Sequence, residues 1–224
     1  MPSIAVIVPT LNEEEAVSRT LAELTGLGAP VLVSDGGSRD RTLDCVRRTG
    51  VRVVSGNAGR GPQLNRGAAA VEAEILLFVH ADTVLPPNAL SLVEEAVAGG
   101  TVGGGFAIRF DSSRPIMRLG AWLINQRTRW TRLPLGDQAQ FVTREAFDAI
   151  DGFREWPILE DIDFIRRLKS QGSIAVIGTP VTTAARRFLT RGILRTIATN
   201  WLIWTLYLFG VSPHRLAHLY RQVR

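Results

Sequence analysis

The sequence predicts an α/β fold in which a sheet of parallel strands is covered by helices on both faces. Residues 75–79, ILLFV, form an apolar run that is bounded by polar residues. A run without polar alternation is typical of a strand buried on both faces. Similar short runs at 3–8, 31–33 and 51–54 are each followed by a helical pattern. Four strand–helix units in this order are typical of the α/β class.

The chain of 224 residues is long enough for one well-filled domain, and no linker rich in Pro, Ser or Gly divides it. We predict an α/β domain over 1–185 and a helical appendage over 186–224. The single cysteine, Cys45, excludes an internal disulfide framework. The N-terminus runs directly into a strand pattern without a basic, leader-like segment, so we expect a cytoplasmic protein.

The basic residues are almost all arginine, since Lys169 is the single lysine in a chain of net charge +5. Arginine binds phosphate groups well, but a GC-rich genome produces the same bias without any function. The charges are spread along the chain and no nucleic-acid-binding motif is present. The sequence therefore predicts no nucleic-acid partner.

Polar residues predict how the first two helices begin. Asn12 is a favoured N-cap residue, and Glu15 follows three positions later, as in a capping box. Ser38 predicts the start of the second helix.

Ionisable side chains follow three of the predicted strands: Glu13, Asp35, and the pair His80 and Asp82. Ligands of open α/β sheets bind outside the carboxyl ends of the strands, so this arrangement predicts a nucleotide-binding half-domain. His80 and Asp82 offer one nitrogen and one oxygen ligand, which suits a divalent cation that holds a diphosphate. The alternative is that Asp82 only caps the helix that starts near Pro87.

A glycine-rich loop at 56–68 follows the third strand and leads into a helix of small residues. Such a backbone can approach an anion closely. The glycine spacing does not match the dinucleotide fingerprint or the Walker pattern. Arg60 in this loop can place positive charge near phosphates, although surface solvation explains an arginine here more readily.

The second half of the chain carries a different set of signals. The glycine-led strand 103–110 predicts a close approach to a ligand or to another backbone, and a helix is predicted over 114–130. Three carboxylates, Glu160, Asp161 and Asp163, open a later helix. Acidic first turns also compensate the helix dipole, so this cluster has a structural alternative.

Taken in order, five short motifs make the chain resemble the family 2 glycosyltransferases of the GT-A fold. They are PTLNE at 9–13, DGGSRD at 35–40, NRG at 65–67, HAD at 80–82 and ED at 160–161. The resemblance covers residues 1 to about 185. It is greatest to a small bacterial subgroup associated with radical-SAM and arsenosugar-type gene clusters. It implies a Rossmann-like mixed sheet flanked by helices, and inverting transfer of a sugar from a nucleotide diphosphate with Mg²⁺ or Mn²⁺.

The resemblance also implies roles for individual residues. Thr10 and Glu13 would line the nucleoside pocket, Asp35 would contact the base, and Asn65 would shape the pocket. Asp82 would hold the metal ion. Asp161 would be the general base, and we expect Glu160 and Asp163 to support it. Two positions depart from the family pattern, because His80 stands in place of the first Asp of Asp-x-Asp and Gly36 in place of a second Asp.

The C-terminal part is the most apolar piece of the chain. Residues 196–213 carry no charge, and 201–209 are almost entirely apolar, which is too short for a membrane span. The flanks are basic: Arg186, Arg187, Arg191, Arg195, Arg215, Arg221 and Arg224. This pattern is typical of a peripheral anchor on an anionic membrane surface or of a homo-oligomer contact. A helix packed on the catalytic domain is the alternative.

The sequence thus favours a metal-dependent hexosyltransferase that uses a nucleotide sugar, with UDP as the expected nucleotide and a hydroxyl or a lipid phosphate as acceptor. Transfer from a diphosphate needs a cation for the leaving group and a carboxylate to deprotonate the incoming hydroxyl, and Asp82 and Asp161 can divide these roles. A nucleotidyltransferase and a catalytically inactive nucleotide-sugar-binding protein are the alternatives.

Overall fold

The structure is a computed structural model that describes residues 2–185 and 193–223. A mixed sheet runs through these residues in the strand order β3-β2-β1-β4-β7-β6-β8-β5. β1 to β4 are mutually parallel where they pair, whereas β7 runs antiparallel to both β4 and β6. The strands are β1 Ile4–Thr10, β2 Val31–Asp35, β3 Arg52–Ser55, β4 Ile75–Phe78, β5 Thr83–Val84, β6 Thr101–Phe110, β7 Phe141–Thr143 and β8 Ser173–Thr183.

Helices cover both faces of the sheet. They are α1 Val17–Thr25, α2 Thr42–Thr49, α3 Arg60–Ala69, α4 Ala89–Ala98, α5 Pro115–Thr131, α6 Arg144–Ala149, α7 Glu160–Leu168, α8 Ile193–Leu208 and α9 Pro213–Val223, with a 3₁₀ turn at Gly136–Gln138. The predicted α/β class is confirmed, and so is the mixed, Rossmann-like sheet.

Two apolar cores lie on opposite faces of the sheet because successive residues of a strand point to opposite sides. Val6 and Leu77 face the core under α1, α4 and α5, whereas Ile7 and Leu76 face the core under α3, α6 and α7. All four side chains are buried. The unbroken apolar character of β1 and β4 follows from this burial on both sides.

The glycines of β6 allow a close approach to another backbone. A Cβ atom at Gly104 would lie 2.4 Å from the carbonyl oxygen of Ala175 on the paired strand β8, and one at Gly103 would lie 2.6 Å from that of Phe141. Of the two predicted reasons for these glycines, the structure supports packing of the sheet.

The predicted helix caps were wrong. Helix α1 begins at Val17 with Ala16 at the N-cap, and Asn12 has a left-handed backbone with φ of 56°. Asn12 Oδ1 accepts from the Arg39 amide at 2.9 Å, and the Ser38 hydroxyl accepts from the Asn12 amide at 2.9 Å. Both side chains therefore tie the loop after β1 to the loop after β2, and α2 begins later, at Thr42.

The C-terminal helices lie against the α/β domain. Ile203 of α8 and Leu216 of α9 are buried. Within the described parts of the chain, every helix is too short or too polar to cross a bilayer. The predicted boundary at 185/186 stays a prediction. Arg186, Arg187, Arg191 and Arg224 lie outside the described residues.

Candidate active site

A cavity of about 760 Å³ opens at the carboxyl ends of β1 and β4. It brings together most of the predicted site residues: Thr10, Glu13, Arg60, His80, Asp82, Glu160 and Asp161. Asp35 and Asn65 lie outside its lining. Five carboxyl groups and two guanidinium groups line it, because Asp137 and Arg127 also contribute. The cavity is therefore acidic.

Asp35 lies beneath the cavity and is fully buried. Its carboxylate accepts from the hydroxyls of Thr10 at 3.1 Å and Ser38 at 2.5 Å, and from the amides of Gly37 at 2.7 Å and Ser38 at 2.9 Å. These donors satisfy a carboxylate that would otherwise be costly to bury. The geometry shows Asp35 organising the loop after β2, and its contact with a base stays a prediction.

Gln63 explains the departure at position 36. Its side-chain amide donates to the Thr10 carbonyl at 2.7 Å and the Ser34 carbonyl at 3.1 Å. A Cβ atom at Gly36 would lie 2.9 Å from the Gln63 side chain. An aspartate at position 36 would have to displace this buried amide. Sequence reasoning missed Gln63, since a glutamine inside a helix carries no motif.

His80 and Asp82 follow β4 and line the cavity, as predicted for a cation site. Among residues 2–185 and 193–223, no group of three or more His, Cys, Asp or Glu side chains is arranged to hold a metal ion. One carboxylate and one imidazole suit a cation that takes its other ligands from phosphate oxygens and water. The donor set therefore fits a metal ion that binds together with a diphosphate.

The loop before α7 is held in place by ring stacking and by the Asn65 side chain. Phe153 stacks on Phe164 with ring centroids 3.9 Å apart. The Asn65 side chain clamps the Phe153 backbone, donating to its carbonyl at 2.7 Å and accepting from its amide at 2.8 Å. Asn65 thus holds the loop that leads to α7, and its role in shaping the nucleotide pocket stays a prediction. Leu159, just before the helix, has a φ of 66°, a strained conformation that needs such support.

Asp161 is fixed by two backbone amides. Oδ2 accepts from the Gly136 amide at 2.9 Å, and Oδ1 accepts from the Ile162 amide at 2.8 Å. A Cβ atom at Gly136 would lie 3.0 Å from Nε2 of His80 and 3.4 Å from Oδ2 of Asp161. The start of α7 and the end of β4 therefore meet at Gly136, where a larger residue would crowd both side chains.

Glu160 is buried beside Arg60, with Oε1 3.4 Å from a guanidinium nitrogen. Burial raises the pKa of Glu160, and the charge of Asp161 raises it further against the opposing effect of Arg60. Glu160 thus retains its proton to higher pH than an exposed glutamate.

Asp163, the third acidic residue of the cluster, forms ion pairs outside the cavity. Its Oδ2 lies 2.7 Å from Arg167 and 3.4 Å from Arg154. Asp163 therefore has a structural role in these ion pairs and lies outside the cavity lining, so the structure gives no basis for the predicted support of Asp161 by Asp163.

Helices α5 and α8 supply a wall that the sequence did not predict. Asn200, Ile203 and Trp204 of α8 line the cavity, as does Arg127 of α5. The Arg127 guanidinium lies over the Trp204 ring at 5.5 Å, and burial lowers the pKa of Arg127. These residues carry no motif, so only the tertiary packing of the two helices reveals them.

Comparison with known proteins agrees with this geometry. A family model described as Glycosyl transferase family 2 matches residues 5–154. Beta-monoglucosyldiacylglycerol synthase of Synechocystis is 27% identical over 215 residues, which cover 82% of this chain and 45% of that protein. The chain thus spans less than half the length of this curated relative.

Two solved structures share the fold. Residues 1–349 of TarS from S. aureus superpose with a TM-score of 0.66 at 19% identity, covering 88% of this chain and 64% of that one. Glucosyl-3-phosphoglycerate synthase from Mycobacterium tuberculosis, solved with Mn²⁺, UDP and phosphoglyceric acid, gives 0.60 at 20% identity, covering 79% and 68%. With the family model matching most of the α/β domain and this architecture shared, the chain belongs to glycosyl transferase family 2.

Proposed function

We propose that this protein is a metal-dependent, inverting glycosyltransferase that moves a hexose from a UDP-sugar to a hydroxyl-bearing acceptor. One observation carries the proposal: the carboxylates of α7 and the His80–Asp82 pair of β4 meet in one cavity, which Thr10 and Glu13 of the β1 end also line. The two groups arise about eighty residues apart in the sequence. Their convergence supports a single site for donor and acceptor.

Asp161 is proposed as the general base. It removes the proton from the acceptor hydroxyl while the oxygen attacks the anomeric carbon, and the bond from that carbon to the diphosphate oxygen breaks. Attack opposite the leaving group inverts the configuration. The two amides that hold Asp161 fix its direction before the acceptor arrives.

Asp82 and His80 would hold the divalent cation, which supplies positive charge for the departing diphosphate when bound. The charge balance of the cavity supports this role. Five carboxyl groups face two guanidinium groups, so an incoming diphosphate meets net negative charge unless a cation accompanies it. Arg60, at the start of α3, would add positive charge near the phosphates.

The relatives support the choice of nucleotide. The glucosyl-3-phosphoglycerate synthase structures contain UDP with Mn²⁺ or Mg²⁺, and TarS has been solved with UDP-GlcNAc. The relatives differ in the second molecule that they are named with. The synthase from Mycobacterium tuberculosis was solved with phosphoglyceric acid, whereas the relative from Synechocystis is named for a diacylglycerol lipid. We therefore propose the class of donor from the relatives. The class of acceptor is inferred below from the surface around the cavity.

A hydrolysis assay with a panel of nucleotide sugars and Mn²⁺ tests the proposal. Slow release of UDP, with water replacing the acceptor, is the expected result. A parallel reaction contains a sugar phosphate and UTP in place of the nucleotide sugar. Release of pyrophosphate in that reaction would indicate a nucleotidyltransferase instead. Tight nucleotide-sugar binding without any turnover would indicate an inactive binding protein.

A further inference from the structure

Helix α5 presents an exposed apolar face. Ile116, Leu119, Trp122, Leu123 and Trp130 are 40%, 55%, 55%, 50% and 85% exposed. At about 100° per residue, these side chains fall within an arc of about 120°. The buried residues Met117, Ala121 and Thr128 lie on the opposite side of the helix. A soluble protein seldom exposes so many large apolar side chains along one helix without a partner for them.

The same helix is strongly basic. Between Asp111 and Asp137 the sequence contains five arginines and no acidic residue. Four of them are exposed. Arg118 and Arg129 border one edge of the apolar arc, and Arg114 and Arg132 lie at the two ends of the helix. A helix with large apolar residues on one side and arginines along its border matches the charge and polarity of an anionic lipid surface.

The apolar face is continuous with the cavity. Ile116 and Leu123 are exposed and also line the cavity, and Leu11 at the end of β1 does the same. On the facing helix α8, Leu202 is exposed while the neighbouring Ile203 and Trp204 reach the cavity. Whatever covers the apolar face of α5 therefore lies at the entrance of the cavity.

We propose that the exposed face of α5 seats on an anionic membrane surface and opens the cavity towards it, so that the acceptor is a hydroxyl-bearing membrane lipid. This inference rests on the proposed function for its acceptor, but the docking itself does not. Apolar insertion and arginine attraction together supply the two signals that stable peripheral binding needs. The lipid hydroxyl would then enter the cavity that Asp161 lines directly from the membrane surface.

The test is co-sedimentation of the full chain with vesicles that mix phosphatidylcholine and phosphatidylglycerol. The variant Leu119→Ser/Trp122→Ser/Trp130→Ser changes exposed residues that do not line the cavity. We expect its vesicle binding to fall by about tenfold or more. A matched variant, Leu208→Ser/Phe209→Ser, removes apolar residues that are 64% and 83% exposed at the end of α8, and it should retain binding.

The electrostatic part is tested separately. Arg118→Gln and Arg129→Gln should each weaken binding to anionic vesicles by about fivefold, the effect of one basic residue near such a surface. Neither change should matter with phosphatidylcholine alone, where little binding is expected. Added salt should release the wild type from anionic vesicles and should have little effect with phosphatidylcholine alone.

Three results would overturn the docking proposal. One is a wild-type chain that does not bind anionic vesicles. Another is loss of binding only in the α8 variant, which would move the contact to the C-terminal helix. The third is a lipid-free dimer, seen by sedimentation velocity, that the α5 variant dissociates. UDP release measured without vesicles reports the proposed function independently, so its failure is distinguishable from failure of docking.

Discussion

Replacement of Asp161 by Asn removes the proposed base with almost no change in shape. Loss of a general base lowers turnover by about 10²- to 10⁴-fold, whereas binding of the donor does not use this group. We therefore expect UDP release to fall by at least about 10²-fold while the affinity for UDP stays within about threefold. The assay is Mn²⁺-dependent hydrolysis of the UDP-sugar that the wild type turns over best.

The structure also predicts a stability cost that the assay must accommodate. The carboxylate accepts from two amides, those of Gly136 at 2.9 Å and Ile162 at 2.8 Å. Asparagine offers one oxygen, so its NH₂ group must face one of these amides, which costs about 1–3 kcal/mol. For a chain of this size, 1 kcal/mol lowers Tm by about 2–4 °C. Turnover should be measured well below the melting temperature of the variant.

Asp163→Asn is the matched control. The same substitution two residues later breaks the ion pairs with Arg154 and Arg167 outside the cavity. It should lower Tm and leave turnover within about threefold of the wild type, since it alters no group at the reacting atoms. If Asp161→Asn keeps wild-type turnover, or Asp163→Asn loses as much, the assignment of the base is wrong.

Two further predictions concern pH and packing. Because burial and Asp161 raise the pKa of Glu160 above its unfolded value, the stability from its bound proton is present at low pH and lost as pH rises through the raised pKa. The free energy of unfolding of Glu160→Gln should therefore rise relative to that of the wild type as pH rises above about 4.5, the ordinary glutamate pKa. Urea unfolding that gives the same difference between the two proteins at every pH would contradict this. A Cβ atom at Gly61 would lie 2.3 Å from the Arg154 carbonyl oxygen, so Gly61→Ala should cost about 1–3 kcal/mol in thermal unfolding. Gly178→Ala, which meets no atom within 4 Å, is its neutral control, and equal melting temperatures would refute the packing argument.

The sequence predicts the strands well because burial on both faces leaves an unbroken apolar run, as in β4. It also predicts His80, Asp82 and Glu160 at the site, since polar residues at a strand end or helix start have few positions to occupy in an α/β fold. These signals are local. The fold places the end of β4 and the start of α7 at the cavity, so each of these residues lies there.

Local signals fail where a side chain serves a distant partner. Asn12 is of a residue type favoured at N-caps, yet its backbone amide and its side chain both form hydrogen bonds with the loop after β2. Arg127 and Trp204 pack against each other although they lie about eighty residues apart in the sequence. No periodicity or motif records such a pairing, because it depends on how α8 packs against α5.

We propose that a metal ion and a uridine nucleotide bind together at the end of β4. Isothermal titration calorimetry tests this most directly. UDP is titrated into the wild type once in the presence of Mn²⁺ and once in the presence of EDTA. We expect UDP to bind at least about tenfold more tightly with Mn²⁺ because the cation balances the diphosphate against the acidic cavity, and we expect Asp82→Ala to lose this difference. Equal affinity for UDP with and without Mn²⁺ in the wild type would contradict it.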